Sequence, residues 1–315
     1  MKPISDGIRG FRFSSVAAGI KAPGVDRLDF GLIGADVPAV TAGVTTTNLV
    51  CAAPVAITRE RLSSGLCQAV LANSGNANAY TGEIGRRDAV ELTGEAARGL
   101  GIDPELVIPL STGVIGVPLP ATRMRERIPD LVSGLDETRF MDFARSIMTT
   151  DTRAKTVLLD GELSQGSLRI MGVTKGSGMI APKMATMLAV VLVDLRVEST
   201  FLRECLLDAN STTFNCITVD GDTSTNDTLM VMTGGRLDAA DVGHEQSDRR
   251  TFLRMLTQAC ADLARQIVLD GEGATKLVEI RVRGAQNKVD ATRVARTIAE
   301  SLLVKTAFAG EDPNW

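Results

Sequence analysis

The sequence predicts an α+β fold in which helices pack on β-sheets. Short apolar or alternating runs typical of strands lie next to one another along the chain, and long stretches with helical periodicity occur between them. Apolar residues make up 44% of the 315 residues, which is enough to bury a sizeable core. Because several strands are neighbours in sequence and the helices are long, we expect layers of helices on sheets.

Six segments are predicted strands, because their apolar residues alternate or run continuously between turn-forming residues. They are Gly31–Ala35, Val40–Thr46, Gln68–Asn73, Met187–Val193, Asp227–Thr233 and Lys276–Gly284. Aromatic residues make up only 3% of the chain, so aliphatic side chains and methionine must fill the core between these strands and the helices.

Five segments are predicted helices, because apolar side chains recur in them every three to four residues. They are Arg86–Leu100, Thr138–Met148, Ser199–Ala209, Arg250–Leu269 and Asp290–Leu303. The last of these follows a capping residue, Asp290. We expect its apolar residues to face the core, namely Val294, Ala295, Ile298 and Leu302.

Bulk properties exclude several classes of function. The net charge of −4 gives no support for binding nucleic acid or a membrane surface. No segment reaches the roughly 18 apolar residues of a spanning helix, and the N-terminus lacks the apolar region of a secretory signal. Five scattered cysteines predict buried, reduced thiols, so we expect a cytoplasmic protein. No phosphate-binding glycine motif is present, and we expect no nucleotide cofactor.

The chain contains one histidine, His244, in a polar segment that predicts a solvated loop. Most nucleophiles of hydrolases and transferases use a histidine base, and zinc sites rely on histidine or paired cysteines. We therefore expect no metal site. A nucleophile in this protein must be activated in another way.

Five segments are rich in glycine and small polar residues, and each adjoins an apolar run. They are Asn73–Gly82, Ser111–Gly116, Thr149–Thr152, Val219–Asp227 and Asp270–Lys276. Each one alone is typical of an ordinary turn. Together they can supply backbone N–H groups and hydroxyls to one small polar ligand.

The segment KGSGMIAPKMATML, residues 175–188, resembles the self-cleavage motif of the ornithine acetyltransferase family, the glutamate N-acetyltransferases of arginine biosynthesis. Further segments resemble this family in its order over essentially the whole chain. They are GIRGFRFSSVAAGIK, NSGNANAYTG, STGVIGVPLP, MTTDTRAKT, FNCITVDGDTSTND, QIVLDGEGATKLVEI and VKTAFAGEDPNW. The resemblance implies two stacked sheets flanked by helices, an αββα arrangement.

The resemblance also implies a self-cleaving precursor. The cut would fall between Ala185 and Thr186, giving an α chain of residues 1–185 and a β chain of residues 186–315 in one compact catalytic unit. Such α and β chains are expected to assemble as (αβ)2 or a higher oligomer. The new N-terminal Thr186 would be the nucleophile and would also touch the substrate. Its own α-amine can act as the base, because that group has a pKa of about 7.7–8.

The remaining site residues follow from the same resemblance. The implied reaction moves an acetyl group from N2-acetylornithine to glutamate through acetyl-Thr186, in a ping-pong cycle. Thr112 and Gly113 match the oxyanion hole, and Thr149, Lys175 and Glu272 match substrate-binding positions. From charge, Lys175 suits an α-carboxylate and Glu272 suits the ornithine ammonium. Asp151 and Thr152 are expected to shape the same pocket, and the glycines of residues 176–178 to loosen the backbone before the cut.

Several alternatives stay open. Acetyl-CoA as a second acetyl donor is undecided, and no other cofactor is expected. An N-terminal-threonine amidase or aminopeptidase would pass the acyl group to water instead. Lys183 and Tyr80 stand where the family commonly has asparagine and cysteine, and we expect neither to abolish activity. Family members continue beyond the final DPNW. We therefore expect a truncated form, a partial gene product or one part of a longer polypeptide, and an inactive remnant is the third class.

Overall fold

The computed structural model describes residues 7–181, 187–234 and 241–313. The strands in these ranges are β1 (Phe11–Val16), β2 (Phe30–Thr45), β3 (Leu66–Asn76), β4 (Val107–Val114), β5 (Lys155–Leu163), β6 (Gly166–Lys175), β7 (Leu188–Val193) and β8 (Thr228–Thr233). The helices are α1 (Ala53–Leu62), α2 (Gly82–Leu100), α3 (Ala121–Ser133), α4 (Phe140–Ser146), α5 (Ser199–Thr212), α6 (Gln246–Leu269), α7 (Lys288–Glu300) and α8 (Leu302–Gly310).

The described strands form one hydrogen-bonded mixed sheet, in the order β4-β3-β2-β8-β7-β6-β5, with β1 also paired to β2. The β3–β4 and β7–β8 pairs are parallel. Strand β2 spans 16 residues, and its register shifts in a bulge between Gly34 and Ala39. Before the bulge β2 pairs with β1, and after it with β8. Strand β2 therefore joins a first half-sheet (β1, β3, β4 and the start of β2) to a second (β5–β8 and the end of β2).

The two half-sheets lie face to face. Phe13 and Ile108 of the first half share one buried cluster with Val190 and Met230 of the second. The outer face of the first half packs on α2 and α3, and the outer face of the second half packs on α5 and α6. The predicted α+β fold, with stacked sheets between helical layers, is confirmed.

Strand β7 shows why the sequence folds in this way. Its six residues, LAVVLV, are all buried. Val190 points into the cluster between the half-sheets, and Val191 points to the cluster under α5 and α6. A strand that is covered on both faces must be apolar at every position, not only at alternate ones. Each buried valine stabilises the fold by about 1.5–3 kcal/mol relative to an exposed one.

The strand predictions need several corrections. Segments 31–35 and 40–46 are two ends of one strand, β2, and residues 73–76 and 111–114 continue strands β3 and β4 rather than forming loops. Strands β1, β5 and β6 were not predicted. Residues 276–284 form no strand, and Leu277 is 37% exposed. The prediction was wrong because alternation produces only an apolar face, whereas a strand also needs a neighbouring strand to which its backbone can hydrogen-bond.

Helices α2, α5 and α6 confirm three predictions, and α4 is shorter than predicted. The segment 290–303 is divided: α7 is capped by Asn287, whose side chain accepts from the N–H of Asp290, and α8 follows it. Val294 is 47% exposed and Ile298 is 37% exposed, so the prediction that these residues face the core is wrong. Helical periodicity predicts an apolar face but not an element that covers it. Helices α1 and α3 were missed, since α1 lacks an apolar stripe and α3 contains a proline, and the predicted segment includes only the first two residues of α8.

The cysteines fit the prediction only in part. Cys67, Cys205 and Cys260 are buried, Cys51 is half-buried, and Cys216 is exposed; all five are free thiols. His244 is exposed in a loop, as predicted. In the part of the chain that the structure describes, no helix is both long and apolar enough to cross a membrane.

Candidate active site

A cleft of about 660 Å3 opens where strand ends from both half-sheets meet. Its lining comes from the ends of β3, β4 and β6, from the start of β7, from the loops after β1, α4, β6 and α6, and from the loop before β8. This volume is typical of a small-molecule site. The cleft brings together five of the predicted site residues, namely Thr112, Gly113, Thr149, Lys175 and Glu272.

Thr112 and Gly113 lie at the end of β4, where β4 pairs in parallel with the end of β3. Gly113 has φ +135°, and a Cβ built on it would lie 2.3 Å from the carbonyl carbon of Gly75. Only glycine fits this position, because both the backbone angle and the contact with β3 exclude a side chain. The neighbouring Thr112 is largely buried, at 8% exposed. The two residues thus line the cleft together, at a strand end that packs closely on Gly75.

Lys175, the last residue of β6, is also 8% exposed. Burial lowers its pKa below the usual lysine value, although the carboxylates of Asp151, Asp227 and Glu272 act in the opposite direction. Its ammonium therefore reaches the cleft among acidic groups, in surroundings with little water. An incoming anion would meet a cation that is poorly solvated, which strengthens their attraction.

Behind Lys175 lies a buried ion network. The Lys155 ammonium contacts the carboxylates of both Asp151 and Asp270, and Lys155 is fully buried. Burial raises the pKa of Asp151, but Lys175, Lys155 and the N–H of Gly176 outweigh it, so this pKa is lower than usual. The network connects β5, the loop after α4 and the C-terminal end of α6. It therefore fixes three of the segments that line the cleft.

The glycine-containing loop after β6 is held in place rather than loosened. The N–H of Gly176 donates to Asp151 at 2.8 Å, and the Ser177 hydroxyl donates to the carbonyl of Asp270 at 2.5 Å. Gly176 has φ +147°, which only glycine adopts readily. The expectation of a loosened backbone at residues 176–178 is not supported. In this loop the glycine permits a fixed, unusual backbone.

Glu272 follows α6 and is tied to the same loop. Its N–H donates to the carbonyl of Ser177 at 3.0 Å. A Cβ on Gly178 would lie 2.6 Å from the Glu272 carboxylate, so the absence of a side chain at Gly178 makes room for that carboxylate. Glu272 is exposed and lines the cleft. It can therefore meet a cationic group of a ligand.

Thr149 lines the cleft with its N–H donating to Asp151 at 2.9 Å. Asp151 and Thr152, which were expected to shape the pocket, are not among its lining residues. Asp151 is buried behind Thr149 and Lys175, and the N–H of Thr152 donates to Asp270 at 3.0 Å. These two residues position the lining without touching the cleft.

Asp227 is a buried carboxyl in the cleft that sequence reasoning did not assign. It is 1% exposed, and its Oδ2 has no hydrogen-bond partner among the described residues. Burial raises its pKa well above the usual value. The hydrogen bond from the backbone N–H of Met187, the charge of Lys175 and the hydrogen bonds from two hydroxyls act in the opposite direction. The raised pKa favours the protonated form of this carboxyl, which can donate a hydrogen bond.

Lys21 and Arg27 line the cleft as well and were also not assigned. Lys21 is the last residue of a segment that resembles the family, but nothing in the local sequence indicates that this lysine lines a site. Only the path of the chain between β1 and β2 brings it to the cleft. For Asp227, the available signal was its place at the end of the polar segment VDGDTSTND, directly before a buried strand.

Ala185 and Thr186, the predicted cleavage site and nucleophile, lie outside the described residues. Met187, which follows Thr186 in the chain, lines the cleft together with Leu188. The cleft is thus formed in part by the residue next to the predicted nucleophile.

One family model and several curated proteins match this chain. The model of the ArgJ family matches residues 12–315. The curated "Arginine biosynthesis bifunctional protein ArgJ" of Geobacter sulfurreducens is 49% identical over 308 residues, which are 98% of this chain and 78% of the relative. The protein of the same name from Syntrophotalea carbinolica is 48% identical, with the same coverage.

Two solved structures are similar as well. The ArgJ protein of Bacillus halodurans is 36% identical with a TM-score of 0.52, and the match covers 56% of this chain and 92% of that one. The ornithine acetyltransferase of Mycobacterium tuberculosis, solved with ornithine, is 35% identical with a TM-score of 0.53, covering 58% and 97%. With a family model that matches nearly the whole chain and curated relatives at almost half identity, this chain belongs to the ArgJ family.

Proposed function

We propose that this chain is an acyltransferase of arginine biosynthesis that moves an acetyl group from N2-acetylornithine to glutamate. The observation that carries the proposal is the cleft itself. It gathers a strand-end hydroxyl and N–H pair (Thr112 and Gly113), a buried cation (Lys175) and an acidic group (Glu272) from distant parts of the sequence. The names of the relatives, which include an ornithine acetyltransferase solved with ornithine, support this reaction.

In the proposed mechanism, Thr186 is the nucleophile. Its Oγ attacks the acetyl carbonyl of N2-acetylornithine, and its own α-amine takes the hydroxyl proton. The C–N bond of the amide then breaks, ornithine leaves with that proton, and acetyl-Thr186 remains. In the second half, the amine of glutamate attacks the ester and N-acetylglutamate departs, which restores the threonine hydroxyl.

Thr112 and Gly113 would stabilise the negative charge that develops on the acetyl oxygen in both halves. The fixed strand end supports this role, because donors that are already in position need no reorganisation during the reaction. Removal of one such donor costs about 3–4 kcal/mol of barrier in enzymes where it is known.

Recognition of the two substrates would rest on charge. Lys175 would bind the α-carboxylate that ornithine and glutamate share, with Thr149 beside it. Glu272 would bind the side-chain ammonium of ornithine. The burial of Lys175 and the exposure of Glu272 in one cleft support these roles.

We further propose that the chain cuts itself between Ala185 and Thr186, giving chains of residues 1–185 and 186–315. The two solved relatives support this cut, because each is matched over slightly more than half of this chain but over nearly all of its own length. Their solved chains are therefore close in length to residues 1–185. We place the enzyme in the cytoplasm as an (αβ)2 or larger assembly.

The description of the relatives as bifunctional supports a second activity. We propose acetyl-CoA as a second acetyl donor for the same threonine, with no other cofactor. Coenzyme A would leave in place of ornithine, and the second half of the cycle would be unchanged.

The experiment that tests the main proposal uses N2-acetylornithine labelled in its acetyl group, with glutamate present. We expect the label to appear on glutamate, with one ornithine released for each N-acetylglutamate. Label found only as free acetate would instead assign a hydrolase, and an unlabelled protein with no product would overturn the proposal. Intact mass in the same samples reports the cut after residue 185.

A further inference from the structure

The cleft holds more charge than the proposed roles of Lys175 and Glu272 use. Two further cations, Lys21 and Arg27, line it from the loop between β1 and β2. This loop comes from a different part of the chain than Lys175, and it covers the side of the cleft near the predicted oxyanion pair.

The backbone of Lys21 is held firmly in place. Its N–H donates to the buried carboxylate of Asp29 at 3.1 Å, and the same carboxylate accepts from the N–H groups of Ala18 and Ile20. A Cβ on Gly75 would lie 2.6 Å from Lys21 Cγ, so Lys21 packs directly on the end of β3. Since Gly75 in turn packs on Gly113, Lys21 lies one residue away from the predicted oxyanion pair.

The Lys21 ammonium is half-buried without an anionic partner among the described residues. Its Nζ donates to the carbonyl of Leu28 at 3.4 Å, which is a weak contact. Burial, Arg27 and Lys175 together lower the pKa of Lys21 to about 8, although the carboxylates of Asp29 and Asp151 act in the opposite direction. The Lys21 ammonium is thus partly removed from water and lies near two other cations, on a backbone that Asp29 holds in place. A carboxylate bound there would relieve this unfavourable arrangement.

The chemistry of the two substrates explains why such a group is needed. This step rests on the proposed function. Donor and acceptor share the α-amino acid group but carry opposite charges at the ends of their side chains, an ammonium in ornithine and a carboxylate in glutamate. A cleft that takes both in turn needs an acid for one and a cation for the other. Glu272 supplies the acid, and Lys175 is engaged by the shared α-carboxylate.

We propose that Lys21, with Arg27 beside it, binds the side-chain carboxylate of the acceptor amino acid. This edge of the cleft selects an acidic acceptor over a neutral one of the same shape. It has no part in the first half of the reaction, in which the donor carries an ammonium at that end.

The test compares glutamate with glutamine as acceptor, because the two differ only in the charged group. The wild-type enzyme is expected to favour glutamate by about 10- to 100-fold in kcat/KM, the range of a charge-assisted hydrogen bond. In Lys21→Met, which keeps the packing on Gly75, this preference falls at least about tenfold, because kcat/KM for glutamate falls while kcat/KM for glutamine does not. The rate of ornithine release from N2-acetylornithine changes less than the glutamate value does. Lys21→Arg retains much of the preference.

Arg123→Met is the matched control, because Arg123 Nη1 donates to Gly19 in the same loop but the residue does not line the cleft. It should leave the preference unchanged. Arg27→Met, at an exposed position, should lower the preference by less than Lys21→Met. The inference is overturned if neither Lys21→Met nor Arg27→Met alters the ratio, or if Lys21→Met slows both acceptors and ornithine release equally. A wild-type enzyme that makes no N-acetylglutamate would instead refute the proposed function.

Discussion

Lys155 Nζ lies 2.5 Å from Asp151 Oδ1, and both side chains are completely buried. The same ammonium also contacts Asp270, which lies 115 residues after Lys155 in the chain, so one cation connects carboxylates from two distant segments. Neither carboxylate is part of the cleft lining. The contact matters because Asp151 holds Thr149 and Gly176, and Asp270 precedes Glu272 by two residues.

We expect Lys155→Met to destabilise the fold by about 3–5 kcal/mol, because it leaves two buried carboxylates without their counter-ion. Urea unfolding measures this change. Lys276→Met is the control, since Lys276 forms an ion pair with Glu311 at the surface and its loss should cost about 1 kcal/mol or less. Equal effects of the two substitutions would contradict the role of the buried network.

Asp227→Asn should change how stability depends on pH. The pKa of Asp227 is raised in the folded state, so above about pH 4 the unfolded chain loses this proton while the folded chain keeps it. The wild type therefore loses stability from this group as pH rises towards the folded pKa. The asparagine variant lacks that loss, so its stability relative to the wild type should increase as the pH rises above about 4. A difference in unfolding free energy that stays constant as the pH rises from about 4, measured by urea unfolding, would refute a raised pKa for Asp227.

Thr186→Ala should abolish self-cleavage, because it removes the proposed nucleophile. A denaturing gel and intact mass should show one full-length species, whereas the wild type gives two. Thr292→Ala, on the exposed surface of α7, should be cut like the wild type. A Thr186→Ala protein that still splits after residue 185 would exclude this scheme of cleavage.

Thr112→Ala should slow acetyl transfer by about 10²–10³-fold, because one donor to the developing oxyanion is lost. Glutamate binding should persist, since Thr112 has no assigned contact with the amino acid. Single-turnover release of ornithine and calorimetric titration with glutamate measure the two quantities separately. Weakened glutamate binding with an unchanged transfer rate would assign Thr112 to recognition instead.

Gly113→Ala and Gly116→Ala form a matched pair. Both glycines have positive φ, but a Cβ meets backbone only at Gly113, and nothing lies within 4 Å of it at Gly116. The Gly113 variant should therefore lose about 1–3 kcal/mol more stability than the Gly116 variant, because overpacking adds to the backbone strain. Thermal unfolding of both proteins tests this, and equal losses would show that the contact with Gly75 can relax.

The sequence predicted the central strands well, because β7 and β8 are buried on both faces and read as continuous apolar runs. Strand β2 was split in two, since its bulge carries polar and proline residues that interrupt the pattern. The failures at residues 276–284 and 290–303 have one cause. Both segments have the periodicity of buried elements, but what covers an apolar face is decided by distant parts of the chain.

The candidate site shows the same division. Five cleft residues were predicted from motifs, because the resemblance fixes their positions in the sequence. Lys21 and Asp227 were missed, since their importance arises from burial and from neighbouring charges that only the folded chain creates. The buried Lys155 was missed as well, because nothing local distinguishes a network lysine from a surface one.

The strand order has a consequence for a chain cut after residue 185. Strands β7 and β8 come after the cut, yet they lie between β2 and β6, which both come before it. Among the described strands, the second product would supply two strands to the middle of the first product's sheet, and the first product would flank those two strands on both sides, so neither could bury its core alone. The two pieces would thus behave as complementing fragments that unfold in one transition, and scission would free an amine without freeing a subunit.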